Sequence, residues 1–89
     1  PDRSTEWRLA VTVSTHNQAV VHFNLQDAGR VVVSLYDVQG RLARTVAVLK
    51  AEAGLRYALP FDVSGLTAGC YVCRLTVDGK QLTTKLMLP

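Results

Sequence analysis

Long hydrophobic runs are missing from this 89-residue chain. Apolar stretches such as residues 31–33 and 46–49 are far shorter than the span of about 20 residues that a transmembrane helix needs. Charge is also sparse: ten Lys and Arg against seven Asp and Glu leave a net charge of +3, and the cations are scattered. Because nucleic-acid binding needs clustered cations that displace counterions, we expect no nucleic-acid partner.

Cysteine is scarce, and the two cysteines, Cys70 and Cys73, lie in a segment that alternates like a strand. Residues three apart in a strand point to opposite faces, with Cα atoms about 10 Å apart. A disulfide needs roughly 4.4–6.8 Å, and no second pair or nearby His completes a zinc site. We therefore predict thiols unpaired within the chain, Cys73 buried and Cys70 pointing outward. An outward Cys70 could join two copies in an oxidising compartment.

Methionine occurs once, at Met87, so we expect the chain to be a piece of a longer protein. Hydrophobic residues make up 48% and charged residues 19%, a balance that excludes intrinsic disorder. A chain of this length forms one small domain. We predict a linker remnant at residues 1–5 and a single domain at residues 6–89.

Catalytic and metal-binding patterns are lacking as well. His16 is expected in a loop and His22 on the polar side of a strand, six residues apart. There is no Gly-x-Ser-x-Gly elbow and no glycine-rich phosphate loop before a helix. The aspartates fall in turns or the leading segment without calcium-loop spacing, and turn aspartates usually bond their own backbone. The sequence predicts no enzyme activity, no cofactor and no metal.

What the sequence does contain is period-two alternation of apolar and polar residues, the pattern of half-buried strands. Five runs show it, at residues 7–13, 19–25, 55–61, 71–77 and 82–88. A run at 31–36 is apolar on both sides, as in a central strand, and a run at 42–50 is weakly patterned. The residues predicted to face inward are Trp7, Leu9, Val11, Val13, Ala19, Val21, Phe23, Leu25, Leu55, Tyr57, Leu59, Phe61, Tyr71, Cys73, Leu75, Val77, Leu82, Thr84, Leu86 and Leu88.

Turn signals separate these runs. Asp78-Gly79 predicts a type I′ hairpin, and residues 37–40 predict a tight turn in which Gly40 takes a positive φ. Residues 62–69 predict a longer corner that crosses between sheets. Seven short strands of this kind form two stacked antiparallel sheets. We therefore predict an all-β fold, an immunoglobulin-like antiparallel β-sandwich of about seven strands.

Three blocks of the chain, in order, resemble a known family. In residues 28–41 an apolar strand ends in Tyr-Asp, two residues and Gly-Arg; residues 53–71 hold a Gly before a strand and then Leu-x-x-Gly-x-Tyr. Residues 78–88 form an Asp-Gly-Lys hairpin that ends in Lys-Leu-Met-Leu. Their order and spacing, over roughly residues 19–89, resemble the C-terminal sorting domain of the type IX secretion system of Bacteroidota.

The resemblance implies that the domain is a sorting signal and not a catalyst. The outer-membrane type IX translocon would recognise this signal after periplasmic export. It implies a larger secreted protein, with cargo covalently linked on the N-terminal side. A sortase-like peptidase would then remove the domain, leaving the cargo released or attached to the cell surface. A strand edge can serve as the binding surface, and could also support self-association. The matching positions, predicted to serve translocon recognition, are Tyr36, Asp37, Gly40, Arg41, Gly69, Tyr71, Lys85, Leu86 and Leu88.

Alternatives remain open at this point. Residues 13–18 lack the Pro-Asn-Pro that usually precedes the family's first long strand, and the immunoglobulin-like domain of flagellar hook-capping proteins has a similar pattern. A different function is an accessory β-sandwich, carbohydrate-binding or spacer, of a secreted polysaccharide hydrolase. A carbohydrate-binding module would show coplanar exposed aromatic rings, whereas the alternation places most rings inside, with Tyr36 as an exception. Four matching positions also fit a purely structural role: Gly40 and Gly69 for backbone geometry, Tyr71 and Leu86 for packing.

Overall fold

The computed structural model describes residues 8–15 and 17–89. Seven strands form within them, and no segment there forms a helix that could cross a membrane. This confirms the all-β prediction. Trp7, His16 and residues 1–5, for which a strand face, a loop and a linker were predicted, lie outside the described residues. The strands are β1 (Arg8–Val13), β2 (Gln18–Asn24), β3 (Gly29–Asp37), β4 (Leu42–Ala51), β5 (Arg56–Asp62), β6 (Gly69–Val77) and β7 (Lys80–Leu88).

The strands form two antiparallel sheets, as predicted. One has the order β1-β2-β5 and the other the order β4-β3-β6-β7. The fourth strand therefore pairs with the third, whereas in constant-type immunoglobulin domains it pairs with the fifth. The predicted central strand, β3, lies between β4 and β6. β4 lies at the sheet edge and its register with β3 shifts twice, which explains its weak sequence pattern.

The sandwich has two ends, defined here by the turns that close them. The Asp37 end carries the β3–β4 turn, the start of β6 and the end of β7. Arg44 donates to the Ser64 carbonyl at 2.6 Å, which brings the β5–β6 connection to this end. The Asp78 end carries the β6–β7 turn, the start of β1 and the β4–β5 connection, where the Gly54 N–H bonds the Leu25 carbonyl at 3.0 Å. β1 and β7 therefore run in the same direction on neighbouring edges.

The core lies between the sheets and matches most of the predicted inward register. The prediction was wrong at Val13, which is 36% exposed at the end of β1, and at Leu55, which is 48% exposed because β5 begins only at Arg56. Leu55 belongs to the turn that contains Gly54, so strand alternation does not reach it. The buried apolar residues are Ala19, Val21, Phe23, Leu25, Val31, Val33, Leu35, Ala51, Phe61, Val63, Tyr71, Cys73, Leu75, Val77, Leu86 and Leu88.

Both hairpin turns and both thiols match the sequence prediction. Gly40 has a φ of 83°, and Asp78 and Gly79 have φ values of 49° and 80°, as a type I′ turn requires. Cys70 and Cys73 are free thiols. Cys73 is fully buried, while Cys70 is half-buried on the opposite face of β6.

Candidate functional site

The predicted recognition residues lie together at the Asp37 end of the four-stranded sheet. Asp37, Tyr71 and Leu86 form one row across β3, β6 and β7, because Asp37 pairs with Tyr71 and Tyr71 pairs with Leu86. Gly69 pairs with Leu88 at the same end. Residues from three separate blocks of the sequence are thus adjacent in space.

A second row crosses all four strands on the outer face of this sheet. Leu42 pairs with Tyr36, Tyr36 with Val72, and Val72 with Lys85. Residues directly opposite in antiparallel strands point to the same face, so the four side chains form one line. Tyr36 and Lys85 were predicted from sequence. Leu42, which is 57% exposed, and Val72 were missed because only strand pairing places them beside Tyr36.

Arg74 joins this row through the ring of Tyr36. Its guanidinium carbon lies 4.7 Å from the ring centroid, a cation–π arrangement. Within the part of the chain that the structure describes, the buried Nε of Arg74 has no hydrogen-bond partner. The contact holds the Arg74 guanidinium in place on the outer face of the sheet. Met87, which pairs with Cys70 and is 65% exposed, extends the same face toward the end of β7.

We call this surface the Tyr36 face. It combines exposed or half-exposed apolar groups with two cations, a composition suited to protein contacts. Its residues are Tyr36, Leu42, Val72, Arg74, Lys85 and Met87.

The β3–β4 turn beside the Tyr36 face is held by Asp37. One carboxylate oxygen, Oδ1, accepts from the backbone N–H groups of Gln39 and Arg41, both at 2.9 Å. The Gly40 N–H also bonds the Asp37 carbonyl at 3.0 Å. Asp37 and Gly40 therefore shape the turn. The exposed Arg41 side chain donates to the Gln39 amide oxygen.

Tyr71 is a structural residue at the start of β6. Its ring is 5% exposed, and its hydroxyl donates to the Thr67 carbonyl at 2.7 Å. A tyrosine that bonds the backbone a few residues upstream at this strand is the tyrosine corner of immunoglobulin-like sandwiches. Leu86 and Leu88 are also buried, at 4% and 6% exposure. These three residues cannot touch a partner without local opening.

A small groove separates the β3–β4 turn from the corner that precedes β6. It encloses about 260 Å³ and is lined by residues 37–39 and 67–71. Gly69 lies on its wall with a φ of 141°, a conformation that side-chain-bearing residues rarely adopt. Apart from Gly69 and its two chain neighbours, no described residue has an atom within 4 Å of where a Cβ would stand, so the positive φ accounts for glycine at this position.

The nine predicted positions thus fall into two groups. Tyr36, Arg41 and Lys85 present side chains at the surface. The other six, Asp37, Gly40, Gly69, Tyr71, Leu86 and Leu88, form the turn, the corner and the core that position them. Among residues 8–15 and 17–89, no three His, Cys, Asp or Glu side chains gather in an arrangement that could hold a metal ion.

The comparisons with known proteins give one match. A protein-family model described as "Secretion system C-terminal sorting domain" matches residues 15–89. The match includes β2 to β7, and β1 precedes it. Neither the curated proteins nor the solved structures contain a match to the chain.

Proposed function

Since the chain belongs to the family of type IX secretion system C-terminal sorting domains, we propose that the translocon recognises the Tyr36 face together with Arg41 on the adjoining β3–β4 turn. A domain of this family marks a secreted or cell-surface protein for export. The family is one of sorting signals, so its members act by being bound. For this chain we propose no catalytic activity of its own.

The juxtaposition at the Asp37 end is the observation that supports the proposed surface. The positions shared with the family lie in three separate blocks, and β3, β6 and β7 bring them to one end of one sheet. Arg41 and Lys85 are exposed cations there with no carboxylate partner among the described residues. Tyr36, Leu42 and Met87 add apolar contact area.

We propose that the six remaining positions act indirectly. Asp37 and Gly40 hold the turn that carries Arg41, and Gly69 sets the start of β6. Tyr71, Leu86 and Leu88 fix the end of β7 so that Lys85 stands beside Val72.

The further course of the chain is also a proposal. Cargo is joined ahead of the domain, through the linker at residues 1–5, and crosses the periplasm with it. A sortase-like peptidase then removes the domain, and the cargo is released or attached to the cell surface. The support is the family match, whose members are sorting signals.

The carbohydrate-binding alternative finds little support in the described part of the chain. Phe23 and Tyr57 stack at 4.9 Å, but Phe23 is 2% exposed and lies in the core. Tyr71 is buried as well. Among the described aromatic residues only Tyr36 lies on an outer sheet face, and Arg74 covers its ring. Sugar stacking needs open ring faces.

A reporter fusion tests the proposal. The whole chain, fused to the C-terminus of a periplasmic reporter, is expected to send the reporter to the surface or medium of a type IX-competent bacterium. An established sorting domain on the same reporter is the positive control. If the control is exported while this fusion stays periplasmic, the sorting proposal fails and the accessory-sandwich alternative replaces it.

A further inference from the structure

A second surface, which carries two arginines, lies on the other sheet, at the opposite end of the sandwich from the Tyr36 face. Arg8, Asn24 and Arg56 form a row across β1, β2 and β5 at the Asp78 end. The next row inward is Ala10, His22 and Ala58. Strands lie about 4.8 Å apart, so the two arginine Cα atoms are about 10 Å apart.

The two rows enclose a shallow cleft of about 600 Å³. The alanine methyl groups of Ala10 and Ala58 leave a low floor on either side of His22, while both arginines are exposed. The ring nitrogen Nε2 of His22 lies 3.2 Å from the Thr12 hydroxyl oxygen, away from the arginine row. Two long cationic side chains therefore border a depression whose floor is made of small groups.

The charge of this cleft is not neutralised by the described residues. No described Asp or Glu lines it, and neither the Arg8 nor the Arg56 side chain has an ion-pair or hydrogen-bond partner within residues 8–15 and 17–89. Other arginines are engaged: Arg44 bonds Ser64, and Arg74 covers Tyr36.

Among the described residues, the one carboxylate on this sheet face, that of Asp62, lies at its far end and is already engaged. Asp62 accepts from the Ser64 N–H and hydroxyl, both at 2.9 Å. These bonds lower the pKa of the Asp62 carboxyl.

We propose that this cleft binds a phosphate-bearing ligand between the guanidinium groups of Arg8 and Arg56. The planar guanidinium fork donates two parallel hydrogen bonds to a phosphate and keeps its charge at any physiological pH. Two forks about 10 Å apart at their Cα atoms can converge on one tetrahedral oxyanion from opposite sides, above the position of Asn24. The proposal is independent of sorting, because the Tyr36 face is on the other sheet and at the other end.

Titration of the full chain with pyrophosphate at low ionic strength, followed by amide NMR shifts, tests the site. The expected shifts centre on β1, β2 and β5, and the Arg8→Gln/Arg56→Gln pair is expected to weaken binding about tenfold. The matched control is Arg30→Gln/Lys50→Gln, which removes two exposed cations that face each other on β3 and β4. It is expected to change binding by less than about twofold. Melting curves of both pairs verify that each variant is folded.

Vesicles distinguish a lipid headgroup from a free phosphate as the source of the ligand. Cosedimentation with phosphatidylglycerol vesicles, but not with phosphatidylcholine vesicles, that is lost only in the Arg8/Arg56 pair assigns the site to a membrane surface. Pyrophosphate binding without vesicle binding assigns it to a soluble ligand. Absence of pyrophosphate binding, or equal weakening in both variant pairs, overturns the proposal.

Discussion

The guanidinium of Arg74 lies over the ring of Tyr36, 4.7 Å from its centroid, although the two residues are 38 positions apart in the chain. They meet because Tyr36 pairs with Val72, two residues before Arg74 on β6. A cation over an aromatic face is stabilised by about 0.5–2 kcal/mol, depending on how far the cation is desolvated. The contact gives the Tyr36 face a fixed side-chain arrangement before any partner arrives.

This contact predicts a measurable coupling between the two residues. In a double-mutant cycle with Tyr36→Leu and Arg74→Met, we expect a coupling free energy of about 0.5–1 kcal/mol. Urea unfolding measures it. Tyr36→Phe keeps the ring and is the control, with a stability close to that of the unmodified chain. Additive effects of the two substitutions would show that the contact contributes nothing.

The export proposal predicts that Lys85→Ala and Arg41→Ala each reduce reporter export at least fivefold. Both side chains are exposed, so each variant is expected to keep its stability within about 0.5 kcal/mol. Arg30→Ala, an exposed cation at the Asp78 end of β3, is the matched control and should export normally. Equal export by all three variants would remove Arg41 and Lys85 from the recognition surface.

Asp37 is expected to act through the turn. Asp37→Ala removes the acceptor for the Gln39 and Arg41 N–H groups and should cost about 1 kcal/mol of unfolding free energy. Asp37→Asn keeps a carbonyl acceptor and should lose less than about 0.5 kcal/mol, with export retained. Urea unfolding and the reporter assay measure the two effects. If Asp37→Asn folds normally but abolishes export, the translocon contacts the carboxylate itself.

Gly29 is expected to tolerate no side chain, because of close packing. A Cβ there would lie 2.6 Å from Asp78 Oδ2 and 2.7 Å from Cγ2 of Val77. The Asp78 carboxylate can rotate away, but Val77 is 2% exposed and fixed in the core. Gly29→Ala should therefore destabilise the domain by about 1–3 kcal/mol in thermal or urea unfolding. Val77→Ala removes the Cγ2 atom that the new Cβ would meet. The double variant Gly29→Ala/Val77→Ala should therefore lose less stability than the sum of the two single variants.

The buried thiol of Cys73 is expected to make the free energy of unfolding depend on pH in alkaline solution. Burial raises the pKa of its thiol from 9.0 to about 11, so between these values the unfolded chain loses a proton that the native chain keeps. The free energy of unfolding should then fall as pH rises, by at most about 1.4 kcal/mol per pH unit. The contribution is complete below about pH 9 and lost near pH 11. Cys73→Ala is expected to be less stable than the unmodified chain. Its free energy of unfolding, measured with urea, should fall less steeply as pH rises across this window.

Thiol labelling of the native chain follows from the same geometry. At pH 8 a thiol reagent should modify Cys70 first, because Cys73 is fully buried. Cys70→Ser should remove the fast phase and leave a slow one limited by unfolding. Rapid labelling of Cys70→Ser would show that β6 is open or shifted by one residue.

Much of the fold could be predicted because its local signals agree. The Asp78-Gly79 turn fixes the register of β6 against β7, and with it the pairing of Tyr71 with Leu86. Alternation then assigns Cys73 to the core. The prediction for Leu55 was wrong because the apolar alternation of β5 extends back into the turn at Gly54, before the strand begins at Arg56.

The candidate site was predictable only in part. The family blocks identified Tyr36 and Lys85. The row between them depends on the pairing of β3 with β6, and these two strands are separated along the chain by β4 and β5. Leu42, Val72 and Arg74 carry no local signal of their own. The cleft between Arg8 and Arg56 was missed for the same reason, since it depends on three strands that are separated in sequence.

The parallel course of β1 and β7 has a mechanical consequence. β1 begins with Arg8 at the Asp78 end, whereas β7 ends with Leu88 at the Asp37 end, about 30 Å away along a nine-residue strand. If the translocon binds the Tyr36 face as proposed, a cargo joined ahead of β1 lies toward the opposite end of the sandwich from the translocon. A force between the two ends acts along the strand axes, so the backbone hydrogen bonds between paired strands bear it in shear and resist it together.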